Sequence, residues 1–579
     1  MASKWSGARA PDGFGELRSQ SVCHYGHTMD KAPVVTRPPI DAITVEVIGS
    51  ALASIAEEMG ETLVRAAHST NIKERRDIST CLFDSKGRTL CQAMHIPMHL
   101  GSLIGIVESI LARVPADEIK EGDVFVGNDA YTGGGTHLPD IVLAEPIFFT
   151  GTLVGWATNT AHHADFVDRG HAHIFQEGIR IPPIRLYREG KVVQDVLDLI
   201  LLNLQVPHER LNDLRAQMAA NRQGVLRFQA LCRRHGLATM LAVEDALLDY
   251  AERLTRAGIR SIPPGIYEFA DQFDSEEIDE ILDFKIRVEV RDDEILLDFD
   301  APPQVRAGIN LVHTGLLATV YYVLKTVIGP DIPPNAGFFR PIHVSAPKGS
   351  VLNAVAPAAV NSRLDSGQRV VDLVLGALAK AIPDRVTAAH NGACVYADFS
   401  GTDPRTGKYY VYVETIGGGF GARATKDGLD GVHVHLTNTS NLPVEALETE
   451  YPLTIERYEL VDDSGGAGRF RGGMGLHRRV RAEHDGCRTF IFGARTRTAP
   501  WGLFGGEPGG MARFDYLKPG EGPSNAKARL DFGSSVSIVT PGAGGYGPAR
   551  ERDVELVRRD LENGKISIAD ARETYGLDV

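Results

Sequence analysis

Apolar residues at Val45, Ile48, Leu52, Ile55, Met59 and Leu63 recur at spacings of three and four, which predicts an amphipathic helix over 44–66. The period then changes. Residues 78–83 and 89–93 are strand-forming runs on either side of Asp84-Ser-Lys-Gly87, the pattern of a hairpin. Residues 99–113 return to helical spacing, and 122–128 form a strand that runs into Gly133-Gly134-Gly135. Residues 140–149 and 152–160 are two further strands joined at Thr150-Gly151. From 196 to 259 the apolar positions, among them Ile200, Leu204, Leu211, Leu214, Met218 and Leu247, predict a helical layer. Alternation at Ile286, Val288 and Val290 marks a β-rich stretch beginning near 263, and 368–382 is a helix stopped by Pro383. After 395, strands alternate with glycine-rich loops, and the charged residues 552–575 read as a helical tail packing on a partner.

At 579 residues the chain exceeds the ~250–300 that one core can serve, so it is expected to be multidomain. The pattern describes an α+β protein: an antiparallel β-rich catalytic region, a helical layer and a glycine-rich β C-terminal region. The boundaries are a partly disordered extension (1–40), a metal-site α/β region (41–195), a helical region (196–262), an α/β region (263–395), the glycine-rich region (396–550) and the tail (551–579). Residues 1–28 lack the charged start and apolar core of a secretory signal, and Met29 offers an alternative start.

Chemistry concentrates at one hairpin. His137 and Asp140 precede or open its first strand, and His162, His163 and Asp165 follow its second. A two-residue turn sets Phe149 opposite Thr152. Asp140 then faces Ala161 and Pro139 faces His162, so both clusters meet at the open end. A single histidine is ordinarily a packed residue, but this many imidazoles and carboxylates at one end point to a divalent ion such as Mn, Zn or Fe. Such an ion would polarise a carbonyl or lower the pKa of a bound water to about 7. Asp168, His171 and His173 extend the tract as residues that could orient ligands.

Composition narrows the class. With 61 basic and 75 acidic residues the net charge is -14, which disfavours nucleic acid and anionic membranes as partners. No apolar run reaches about 18 residues, so no membrane helix is expected. Six scattered cysteines without pairing rhythm suit a reducing cytoplasm. The glycine runs contain no phosphate-loop signature and read as tight turns. Glu74, flanked by Lys73, Arg75 and Arg76, reads from composition as an exposed loop charge.

The strings Asn71-Ile-Lys-Glu-Arg-Arg-Asp-Ile-Ser79, Gly127-Asn-Asp-Ala-Tyr131, Gly134-Gly-Thr-His-Leu-Pro-Asp-Ile141, Ala161-His-His-Ala-Asp165, Glu177-Gly-Ile-Arg-Ile-Pro-Pro183 and Gly465-Gly-Ala-Gly-Arg-Phe-Arg-Gly-Gly473 resemble the hydantoinase B/oxoprolinase family. That family includes the B subunit of ATP-dependent N-methylhydantoinases, 5-oxoprolinase, the caprolactamase β subunit and the metal-bearing subunit of acetone carboxylase. The resemblance implies a metal held by Glu74, His137, Asp140 and His162; beside it, His163 or Asp165 is expected to move the proton. It also implies a hydantoinase A-type ATPase partner that uses ATP to phosphorylate a small cyclic amide, in a hetero-oligomer with more than one copy of the chain. Ring opening in a hydantoin, 5-oxoproline or similar lactam is the expected reaction. A ketone carboxylase subunit and a non-catalytic scaffold for the ATPase are the alternatives. Where the family usually continues with Gly-Gly and Pro-Gly-Ser, this chain has Phe166-Val-Asp-Arg-Gly-His-Ala-His173, which is expected to form the substrate-specific edge of the pocket.

Overall fold

A computed structural model describes residues 39–163, 172–520 and 528–578. The first helix, Ala42–Ala66, begins at Asp41, whose carboxylate accepts from the backbone N–H groups of Ile43 and Thr44. Its stripe of Ile48, Leu52, Ile55, Met59 and Leu63 is buried as the spacing requires. It packs with the long Pro207–His235 helix on one face of a seven-stranded sheet.

That sheet contains β1 (Ile78–Asp84), β2 (Thr89–Gln92), β3 (Val124–Gly127), β4 (Asp140–Phe149), β5 (Thr152–His162), β6 (Ile184–Arg188) and β7 (Lys191–Val192), in the order β2-β1-β5-β4-β3-β6-β7. Every ladder in it is antiparallel. Its inner strands are nonetheless buried on both sides. Leu82, Ile147, Val154 and Ala157 face the two long helices, while Phe83, Phe125, Ala144 and Trp156 pack under the Ile106–Arg113 helix. Two-sided burial explains why β4 reads as an apolar run instead of alternating.

A second sheet holds β8 (Gly265–Phe273), β9 (Leu282–Arg291), β10 (Glu294–Asp300) and β11 (Ile342–Ser345), with β10 and β11 parallel. The C-terminal region forms two more. One contains β12 (Val395–Thr402), β13 (Tyr409–Ile416), β16 (Cys487–Phe492) and β18 (Ala528–Leu530). The other contains β14 (Leu453–Leu460), β15 (Leu476–Ala482), β17 (Arg513–Leu517) and β19 (Ser535–Val539). Between these layers runs the Arg363–Leu378 helix, in which every residue but Leu364 is buried. A helix covered on all sides belongs to the centre of a large core. One continuous apolar cluster runs from Ile96 and Met98 through this helix to Val536 and Ile538. The helical layer likewise shares its core with the first sheet.

Several expectations are corrected. The helix expected over 99–113 is two helices, His99–Leu103 and Ile106–Arg113, because Gly105 adopts a left-handed φ of 85° between them. The central helix starts at Arg363 and ends at Leu378, well before Pro383. The C-terminal tail packs on its own chain: Val557, Ile566, Ala571 and Tyr575 cluster with Ala467 and Ala549, and Arg552 pairs with Asp427. Most glycines of the C-terminal runs do not serve as turns. They let backbone pass against backbone: a Cβ on Gly542 would sit 1.7 Å from the Ser464 carbonyl oxygen, and one on Gly419 would sit 2.2 Å from that of Gly473.

Gly542→Ala is therefore expected to destabilise the chain by at least about 1–3 kcal/mol, the range for overpacking. Gly407→Ala, at a left-handed φ of 68° with nothing within 4 Å of its Cβ, is expected to cost only about 1 kcal/mol. Denaturant midpoints of the two variants measure the difference; equal midpoints would contradict the close-approach account.

Candidate metal centre

The β4–β5 hairpin turns at Thr150 and Gly151, whose φ values of 49° and 79° fit the expected two-residue turn. Phe149 pairs with Thr152 and Phe148 with Leu153, as expected. Val154 is then an extra residue, and from Ile147↔Gly155 onward the register is shifted by one. Asp140 consequently pairs with His162 rather than with Ala161. Directly paired residues share a face of the sheet, so this bulge brings both side chains to the same side.

His137 enters from the loop before β4. Gly133 and Gly134 take φ values of 86° and 108°, and buried Asn128 ties the loop down by donating to the carbonyls of Leu138 (2.8 Å) and Ile179 (3.0 Å). His137 Nε2 lies 3.0 Å from Asp140 Oδ1, and the His137 and His162 ring centroids are 5.0 Å apart. One ligand atom from each of His137, Asp140 and His162 falls within 4.8 Å of the others.

The hydrogen bonds around these groups leave specific atoms free. His137 Nδ1 lies 3.2 Å from both the carbonyl and the side-chain oxygen of Asn361, and a ring proton carried there leaves Nε2 a lone pair toward Asp140. Two backbone N–H groups, those of Val360 and Asn361, are in turn held by Glu177 Oε1 at 2.8 and 2.7 Å. Asp140 spends its other oxygen: Oδ2 accepts from Arg363 Nη2 at 2.9 Å and from Ser102 Oγ at 3.0 Å. His137 Nε2 and Asp140 Oδ1 remain buried without a hydrogen-bond partner among the described residues. At 3.0 Å two such atoms can share a proton or a bound cation.

The electrostatics match. Burial opposes the charged form of Asp140, but the cationic groups that face it, Arg363 among them, outweigh it and hold the carboxyl well below its usual range. Burial keeps His162 well below its usual range and hence neutral.

Residues that the sequence reading passed over complete the cavity, whose volume is about 50 Å³, room for an ion with a water or two. His99, at the start of its short helix, places Nε2 3.5 Å from both Asp77 Oδ1 and Asp140 Oδ1. Burial lowers its pKa, yet the Asp140 and Asp77 carboxylates reverse this and the net shift is upward. Arg363 and Arg75 also line the cavity. Asp77 sits inside a motif singled out above. Asn361 and Arg363 come from more than 200 positions away and carried no local signal.

Two expected site residues lie elsewhere, Glu74 and His163. Glu74 caps the Thr70–Lys73 helix and is exposed on the outer surface, near Glu450, rather than in the cavity. Asn71 and Arg75 turn inward, Asn71 Nδ2 lying 2.9 Å from His162 Nδ1, while the helix ends at Lys73 and the chain leaves Glu74 outside. His163 follows His162 on an extended chain and points to the opposite side. There its Nε2 donates to Gln217 Oε1 at 3.0 Å under the Pro207–His235 helix, and burial pushes its pKa down to about 4. Asp165 lies outside the described residues, as do Asp168 and His171 and most of the expected pocket edge from Phe166 to His173.

The chain is similar to known proteins over nearly its whole length. An uncharacterised protein of Methanocaldococcus jannaschii is 38% identical over 93% of this chain and 96% of its own length. Caprolactamase subunit beta of Pseudomonas jessenii is 33% identical over 93% of this chain and 96% of its own. The crystal structure of ATP-dependent caprolactamase from the same organism superposes with a TM-score of 0.86, at 31% identity, over 94% of this chain and 97% of that one. The nucleotide-free structure of acetone carboxylase shares the fold, with a TM-score of 0.85 at 18% identity, over 93% of this chain and 80% of that one. The signature of the hydantoinase B/oxoprolinase family spans residues 41–549, and the chain belongs to that family.

Proposed function

We propose that this chain is the hydrolytic subunit of an ATP-dependent cyclic amide hydrolase, acting on a ring amide that a partner ATPase of the hydantoinase A type has phosphorylated. The observation that carries the reading is the pair of buried atoms, His137 Nε2 and Asp140 Oδ1, without a hydrogen-bond partner among the described residues and held 3.0 Å apart beside a neutral His162. These donors fit a divalent ion such as Mn, Zn or Fe, with the Asp77 carboxylate facing the same cavity as a fourth candidate. When bound, such an ion supplies Lewis-acid chemistry toward a carbonyl and makes water a better nucleophile near neutral pH.

The remaining work falls to the chain's own side chains. Asn361 fixes the His137 tautomer, which orients a ligating ring. Arg75 and Arg363 give the cavity two guanidiniums, the groups suited to an anionic phosphorylated substrate. His99, between Asp77 and Asp140, is placed to hold or pass a proton in the role that the sequence reading gave to His163 and Asp165. The caprolactamase relative is named as a subunit, which supports a two-component assembly. A fold shared with acetone carboxylase does not choose between hydrolysis and carboxylation. The donor set suits either, and the closeness to caprolactamase favours the ring amide.

Co-purified with its ATPase partner, the chain is expected to couple ATP turnover to opening of hydantoin, 5-oxoproline or caprolactam. Turnover stimulated only by acetone plus bicarbonate would overturn the hydrolase reading. His137→Ala is expected to lose bound metal and ring opening together, and Asn361→Ala to weaken metal affinity about 10–100-fold. Glu74→Gln is expected to keep both metal and activity while Asp77→Asn lowers both; the reverse outcome, by metal analysis and turnover, would restore the ligand set that the family resemblance implied.

A further inference from the structure

A second set of side chains of the same kind meets away from the cavity. Asp372 lies in the middle of the Arg363–Leu378 helix, His390 on the segment that follows it, and His435 on the loop after β13. One nitrogen from each ring and a carboxylate oxygen lie within 4.8 Å of one another, and all three residues are buried. His390 Nδ1 is 3.1 Å from Asp372 Oδ1 and His435 Nε2 is 3.7 Å from the same oxygen. Donor atoms bound to one tetrahedral ion at about 2.0–2.2 Å lie roughly 3.4 Å apart, so these separations straddle the required one.

The hydrogen bonding repeats the logic of the first centre. His435 Nε2 is fully shielded and has no hydrogen-bond partner among the described residues, and 3.7 Å is too long for one to Asp372. His390 Nε2 faces Thr387 Oγ1 at 3.3 Å and can carry the ring proton there, which leaves Nδ1 as a lone pair toward Asp372. Asp372 Oδ2 accepts from Arg495 Nη2 at 2.9 Å, as Asp140 Oδ2 accepts from Arg363, while Oδ1 accepts from the His390 backbone N–H at 3.2 Å and faces both imidazoles. Around this point the carboxylates of Asp271, Asp274 and Asp372 meet the guanidiniums of Arg369 and Arg495, with Arg423 over the Phe420 ring beside His390, so the fixed charges balance.

We propose that Asp372, His390 and His435 form a second divalent-cation site, distinct from His137, Asp140 and His162, that clamps the His435 loop to the central helix. Two imidazoles and one carboxylate without thiolate select a borderline ion, zinc or manganese. The clamp acts on both walls of the first cavity. Thr437 and Thr439, on the same loop as His435, line that cavity, and Arg363 lies nine residues before Asp372 on the same helix, about 13 Å along its axis.

The test is metal stoichiometry in the full chain, stripped with chelator, reloaded with Zn²⁺ or Mn²⁺ and desalted. The native chain is expected to retain two equivalents, His137→Ala one, His435→Ala one, and the double variant none. A native chain that holds one equivalent, abolished by His137→Ala, would overturn the second site. Should His435→Ala misfold, crystals of the native chain grown with zinc decide: an anomalous peak at the zinc edge between the His390 and His435 rings supports the site, and its absence with zinc at His137 refutes it.

Discussion

A buried carboxylate cannot be left alone in a protein core, and Asp140 organises this molecule around that constraint. One oxygen takes the Arg363 guanidinium and the Ser102 hydroxyl, which docks the central helix and the His99–Leu103 helix onto the open end of the β4–β5 hairpin. The other oxygen is turned to the imidazoles. Segments more than 200 residues apart are thereby forced together at one point, and the cavity lies where they meet. Apolar burial supplies the bulk of the cohesion, but it is non-directional; this charged contact sets the alignment of the layers.

The bulge at Val154 is the second determinant. Side chains alternate along a strand, so one inserted residue moves everything beyond it to the other face. Without it, Asp140 and His162 would lie on opposite sides of the sheet. With it, His162 turns to the cavity and His163 is committed to the helical layer behind, paired with Gln217. Two adjacent histidines that look equivalent as letters thus have different chemistry, separated by the geometry of an extended chain.

The central helix carries the same device twice. Its first turn brings Arg363 to the hairpin, and its middle brings Asp372 to two further imidazoles against Arg495. In each case a guanidinium takes one carboxylate oxygen and leaves the other for ring nitrogens. The glycine-rich loops serve this arrangement: segments without side chains can lie backbone to backbone, which lets the His390 and His435 loops close over the helix.

Local pattern alone determined the first helix, the β1–β2 hairpin, the two strands and turn of the β4–β5 hairpin, and the meeting of His137, Asp140 and His162 near its open end, because helical and strand periods follow from covalent geometry within a few residues. The motif strings alone identified the family. Tertiary structure decided that Asp77 rather than Glu74 faces the cavity, that His163 turns away from it, and that His99, Asn361 and Arg363 belong to it. It also decided which histidines of the C-terminal half converge on Asp372. These outcomes depend on which polar atoms remain unpaired after distant segments pack, and that is settled by contacts across the fold, which no local period encodes.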